Sequence, residues 1–180
     1  QIVARGGNAS GYYIVGGGGG RVAVYYEALD GFDLTNQVSA VGGTGSTSAG
    51  GPGTIYLERR GVAGTLLIDR KTGGGRSTPL WLPAGATNYT GNLVVRGTGT
   101  VAELQASNLI QPSSAVASDG GRLAVSGNNS WANLSVSNAG QLSLNGTNQV
   151  LASLVVNGGT AEVNGTLSAP DVVLTNGSVL

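Results

Sequence analysis

Along most of the chain, Val, Leu and Ile alternate with polar residues or cluster in runs of three to six, each bounded by Gly, Asn, Ser or Thr. That pattern predicts strands separated by turns. Helical spacing is nearly missing: TVAELQASNL, 100–109, is the one helix candidate, with Pro112 close behind it. The C-terminal third repeats. ANLSVSNAGQLSLNG at 132–146 aligns with ASLVVNGGTAEVNG at 152–165, making Leu134 equivalent to Leu154 and Leu144 to Val163. A further copy opens at APDVVLTNGSVL, where Val173 follows Leu154 at a similar interval. The period of about twenty residues is that of a solenoid coil. One such unit cannot bury its apolar side alone, whereas stacked coils can, each adding rungs to parallel sheets.

The expected fold is therefore all-β: a parallel β-helix, right-handed by the general preference of parallel connections. At about 20 residues per coil the chain supplies about eight or nine coils, and at about 4.8 Å per rung a stack about 40 Å long. Upstream the repeat degrades. GNLVVRGTGTVAEL, 91–104, keeps the strand, glycine turn, strand outline, while the N-terminal half places glycines ahead of strands, as in GGRVAV at 19–24 and GGPGTIYL at 50–57; GGRLAV at 120–125 repeats the first. A soft boundary near Pro83 separates a glycine-rich portion, 1–83, from the regular repeats, 84–180, within what reads as one continuous solenoid.

Five consecutive glycines, 16–20, raise the possibility of a phosphate loop, but Arg21 and Val22 follow where such a loop needs Lys and then Ser or Thr. The expectation is structural: positive φ and close backbone approach at a tight corner. GTGTVA, 97–102, with Asp119 about twenty residues on, imitates a dinucleotide fingerprint but lacks the alternating strands and helices that motif requires.

Nine Lys and Arg balance nine Asp and Glu, so no long-range field favours nucleic acid or an anionic membrane, and no apolar run is long enough for direct membrane insertion. Charged residues are 10% of the chain, so Ser, Thr, Asn and Gln must carry surface polarity, as is common in secreted and cell-surface β proteins. The absence of Cys and His excludes disulfides, Ser-His-Asp and Cys-His devices, and imidazole or thiolate zinc sites. No cofactor is implied. Opening on Gln1 and stopping at Leu180 within an apolar pattern, the chain reads as a processed product or a piece of something larger.

The remaining candidate chemistry is sparse. Glu27, Asp30 and Asp33 form the one acidic cluster; paired carboxylates serve glycosidic hydrolysis and oxygen ligands hold calcium, but acids leaving a strand are commonly solvated turn formers. Tyr12, Tyr25 and Tyr56 head a set of N-terminal aromatics, including Tyr13, Tyr26 and Trp81, that either line up as a glycan-stacking platform or fill the wider end of the core. Seven Asn-x-Ser/Thr triplets occur, at Asn8, Asn88, Asn128, Asn133, Asn145, Asn164 and Asn176. The Asn-Gly copies at Asn145, Asn164 and Asn176 read either as glycosylation acceptors or, preferably, as left-handed turns whose asparagines hydrogen-bond along the stack.

The paired pattern GGGGGRVAVYY and VGGTGSTSAGGPGTIYLE resembles the glycine-rich units of very large bacterial surface proteins with β-helical passengers. The alternating Leu, Val and Gly pattern of 134–165 is similar to repeats of adhesin-type β-helices, including autotransporter-like and haemagglutinin-like exoproteins. The resemblance implies an extracellular, cell-surface location and a structural or adhesive role, with neighbouring solenoid units, other copies of itself or glycans as partners. Two alternatives stand beside that non-enzymatic reading. One is a fibre subunit assembling end to end through the strand edge at Leu180; the other is a polysaccharide-binding or polysaccharide-degrading β-helix using Glu27, Asp30 and Asp33.

Overall fold

The computed structural model describes residues 1–12, 14–70, 75–80, 91–105 and 114–180. They form a β-solenoid of about four turns with about 20 residues per turn. One wall is built from β5 (Thr65–Asp69), β7 (Asn92–Arg96), β9 (Ser114–Ser118), β11 (Asn129–Ser137), β12 (Gln141–Asn157) and β14 (Asp171–Thr175), paired in parallel in that order. A second wall runs through β6 (Thr78–Leu80), β8 (Val101–Gln105), β10 (Arg122–Ser126), the first part of β12 and β13 (Thr160–Ser168). Inward-facing positions alternate with outward ones, so Leu93 and Val95, Ala115 and Ala117, Leu134 and Val136, and Leu154 and Val156 enter the core in successive rungs. Leu104, Leu123, Val125, Leu142 and Leu144 meet them from the opposite wall. Full burial of each Leu or Val is worth about 1.5–3 kcal/mol, so the column supplies its own stability without disulfides.

The register matches the sequence alignment at Leu134 with Leu154 and at Leu144 with Val163. It differs at the last rung. Leu154 faces Val172, and Val173 lies opposite Val155, because a one-residue slip in a two-residue period would turn the inward set outward. The helix candidate is a strand over 101–105: β8 is paired on both sides, with Ala102 and Leu104 buried, and tertiary pairing overrides its weak local preference. Residues 106–109 of that candidate, and Pro83 at the suggested boundary, lie outside the described residues.

The expected eight or nine coils do not form, because the N-terminal portion is built differently. Here β2 (Arg21–Tyr26) pairs in parallel with β4 (Thr54–Arg59), which meets β5 in the one antiparallel ladder among the described residues. Strand β5 is thus buried on both sides: Ile68 packs in the solenoid core, while Leu67 joins a second cluster with Val38, Ala40 and Ile55. That cluster is covered by Phe32 and by Leu34 of the four-residue helix α1 (Leu34–Gln37); its Val38 belongs to β3 (Val38–Ser39), which pairs with β1 (Ile2–Val3).

Between these strands the glycines do not turn a corner. None of Gly16 to Gly20 has positive φ. Instead, extended segments run side by side, linked by backbone bonds that recur every third residue: Gly20 N to Ala4 O and Gly17 N to Gly7 O, Gly16 N to Ser48 O and Gly19 N to Gly51 O, Gly53 N to Ala40 O and Gly50 N to Gly43 O. A three-residue period is that of a polyproline-II-type helix, not of a strand. Gly17 donates to Gly7 and accepts from Gly43, so a single segment bonds to neighbours on different sides. A side chain at Gly50 or Gly43 would run into a neighbour's carbonyl, which is why close approach, and not left-handed conformation, demands glycine here.

Candidate functional site

Among the described residues, the outward face of β2 and β4 brings aromatic and charged side chains together. Strand alternation puts Arg21, Ala23 and Tyr25 of β2 on the solvent side, while Val22, Val24 and Tyr26 are half-buried. Parallel register then sets Ala23 beside Tyr56 and Tyr25 beside Glu58. The two rings meet edge-on, with centroids 5.7 Å apart and planes at 61°, a geometry the ring quadrupoles favour. Tyr56 donates its hydroxyl to Glu58 Oε2 at 2.5 Å, and just beyond β2 Glu27 pairs with Arg60. Tyr25, 69% exposed, stands over a cleft of about 290 Å³ that Tyr26, Glu27, Glu58 and Arg60 complete. The arrangement offers a ring face for an apolar patch, carboxylate acceptors for hydroxyls and a guanidinium donor.

The three tyrosines proposed from sequence therefore do not line up as one row. Tyr25 and Tyr56 come together, but Tyr12, 92% exposed, lies in a separate depression with Gly11, Ser46 and Thr47. Tyr13 and Trp81 lie outside the described residues.

The acidic cluster is divided among three structural tasks. Glu27 is bound to Arg60, Asp30 occupies a left-handed turn at φ 43°, and Asp33 caps α1 by accepting from the Thr35 and Asn36 backbone N–H groups. Gln37 Oε1 accepts in return from Asp33 N, completing a reciprocal cap. Sequence reading missed this helix: Asp33 is a suitable capping residue, but Gln37 falls one position past the capping-box spacing. Among the described residues no group of three or more His, Cys, Asp or Glu is placed to hold a metal ion.

Of the three Asn-Gly sites, only Asn176 takes the left-handed turn expected of all three, at φ 55°. Asn145 and Asn164 lie opposite each other inside strands, with Asn145 donating to Val125 O and Asn164 to Glu162 Oε1. The ladder of polar side chains occurs elsewhere, at corners 19 residues apart: Asn138 donates to Asp119, and Asn176 to Asn157. Two successive positive-φ residues form these corners at Asp119 with Gly120, Asn138 with Ala139, and Asn176 with Gly177, while at Asn157 only the following Gly158 takes positive φ. Asn88 lies outside the described residues.

The first four residues of GTGTVA, 97–100, form a solenoid corner, and the last two open β8. Gly97 and Gly99 take positive φ between β7 and β8, and the buried Thr100 hydroxyl accepts from Arg70 N at 2.9 Å. Arg70 is itself buried, which lowers its pKa from the usual arginine value. No helix among the described residues is long and apolar enough to cross a membrane. Compared with protein-family models, curated proteins and solved structures, the chain finds no match, so what it does must be argued from this geometry alone.

Proposed function

We propose that the chain is a structural and adhesive segment of an extracellular bacterial surface protein, acting mechanically and not as an enzyme. The observation that carries this reading is the Tyr25 cleft: an exposed ring beside Glu27, Glu58 and Arg60, held on a sheet continuous with the solenoid wall. A rigid stack is a suitable mount for a contact surface, because binding then orders little besides the side chains of the cleft. The ligand class supported is a glycan, whose ring faces stack on tyrosine while its hydroxyls meet the flanking carboxylates and guanidinium. Printed glycan arrays probed with the labelled chain test this. Binding that is lost in Tyr25→Ala, with the circular dichroism spectrum unchanged, is expected; absence of binding across the array removes the adhesive role.

A further inference from the structure

We infer that two copies of this chain pair through the free edge of β2, forming a closed two-fold dimer. Strand β2 ends its sheet: β4 lies on one side and no strand among the described residues lies on the other. Bare edges are ordinarily guarded by Lys, Pro or a bulge, yet β2 reads RVAVYY, strongly β-forming and guarded by Arg21 alone.

The backbone settles which residues a partner would meet. Thr54 N bonds Gly20 O and Arg60 N bonds Tyr26 O, so even-numbered residues address β4. The alternation then leaves the N–H and C=O groups of Arg21, Ala23 and Tyr25 aimed away from the sheet, and Glu27 follows at the bend just past the end of the strand.

An antiparallel second copy of β2 fits this edge in one register better than in its neighbours. With Val24 on the two-fold axis, Arg21 lies opposite the partner's Glu27, Ala23 opposite the partner's Tyr25, and Val22 opposite the partner's Tyr26. Opposite charges meet, the smallest side chain meets a large ring, and outward residues pair with outward residues. Shifting the axis to Ala23 sets Arg21 against the partner's Tyr25, and shifting it to Tyr25 brings two tyrosines face on while leaving Arg21 unmatched. Because the interface is isologous it closes at two copies and does not propagate.

The pairing goes beyond the adhesive reading and completes it. Across the axis the outward face would carry Tyr56 and Tyr25 of one copy beside Tyr25 and Tyr56 of the other. That is the continuous tyrosine row that a single chain does not form.

The test is independent of any glycan. Sedimentation of the whole chain over a concentration series should show a dimer. Arg21→Glu and Glu27→Arg should each shift it to monomer, and the double exchange should restore the dimer. Loss of the Glu27–Arg60 pair is a minor complication, since both side chains are exposed. In a chain with no native cysteine, Val24→Cys should form a cross-linked dimer on oxidation, because residues facing each other on such an axis bring their Cβ atoms within disulfide reach. Ala23→Cys, facing the partner's Tyr25, should cross-link poorly. A wild-type monomer at every concentration overturns the inference, as does a dimer indifferent to the charge exchanges. A dimer that binds no glycan leaves the inference standing and removes only the adhesive reading.

Discussion

Replacing Gly50 with alanine should destabilise this protein far more than replacing Gly7, although both glycines belong to the same bundle and neither has positive φ. At Gly50 the added Cβ would overlap the Gly17 carbonyl, falling 2.5 Å from its carbon, where ordinary contact begins at 3.4 Å. The obstacle is backbone, so the segments must part by about an ångström. Gly17 is tied to Gly7 at 2.9 Å and to Gly43 at 2.8 Å, and Gly50 to Gly43 at 2.9 Å. A displacement of that size carries at least one of these bonds out of range. A buried backbone group left without a partner costs about 1–3 kcal/mol, and the weakened neighbours bring the expected loss to about 2–4 kcal/mol. At Gly7 nothing lies within 4 Å of the added methyl. There alanine should be neutral or stabilise by about 0.4–1 kcal/mol, through the entropy it removes from the unfolded chain. Urea titrations followed by far-ultraviolet circular dichroism measure both. Equal midpoints for the two variants would refute the claim that close backbone approach is what the glycines are for.

Other perturbations probe different parts of the frame. Ala139 sits at φ 60° in a corner where its counterparts are glycine, so Ala139→Gly should raise stability by about 0.5–1 kcal/mol, read as a higher urea midpoint. Arg96→Met leaves the Asp69 carboxylate, 7% exposed, without the guanidinium that bonds it at 2.9 Å; a loss of about 2–3 kcal/mol is expected, and an unchanged thermal midpoint would count against that pairing. Asp33→Ala removes the cap of α1 and should cost about 1 kcal/mol, with faster amide exchange at Thr35 and Asn36 as its local signature. Trp131→Phe deprives the buried Asn148 Oδ1 of its donor and should destabilise by about 1–3 kcal/mol in the same titration.

The residue order alone determined the strand content, the twenty-residue coil and the pairing of Leu134 with Leu154, because a buried aliphatic column imposes a two-residue alternation that survives in any single coil. It also showed that imidazole and thiolate chemistry are impossible here, since the residues are not present. The cap at Asp33 was not legible, because a four-residue helix is too short to show a periodic pattern. Only the tertiary structure decided that Glu27, Asp30 and Asp33 serve separate tasks, that Tyr25 joins Tyr56 and not Tyr12, and that the amide ladder runs through Asn138 and Asn176 instead of Asn145 and Asn164. It alone showed that Gly16 to Gly20 lie within a bundle of extended segments. The physical reason is common to all of these. Periodicity reports which side of a strand faces the core, but a glycine run, an isolated turn or a solvent-facing side chain has no period. Its partners are set by which distant segments the coiling brings alongside.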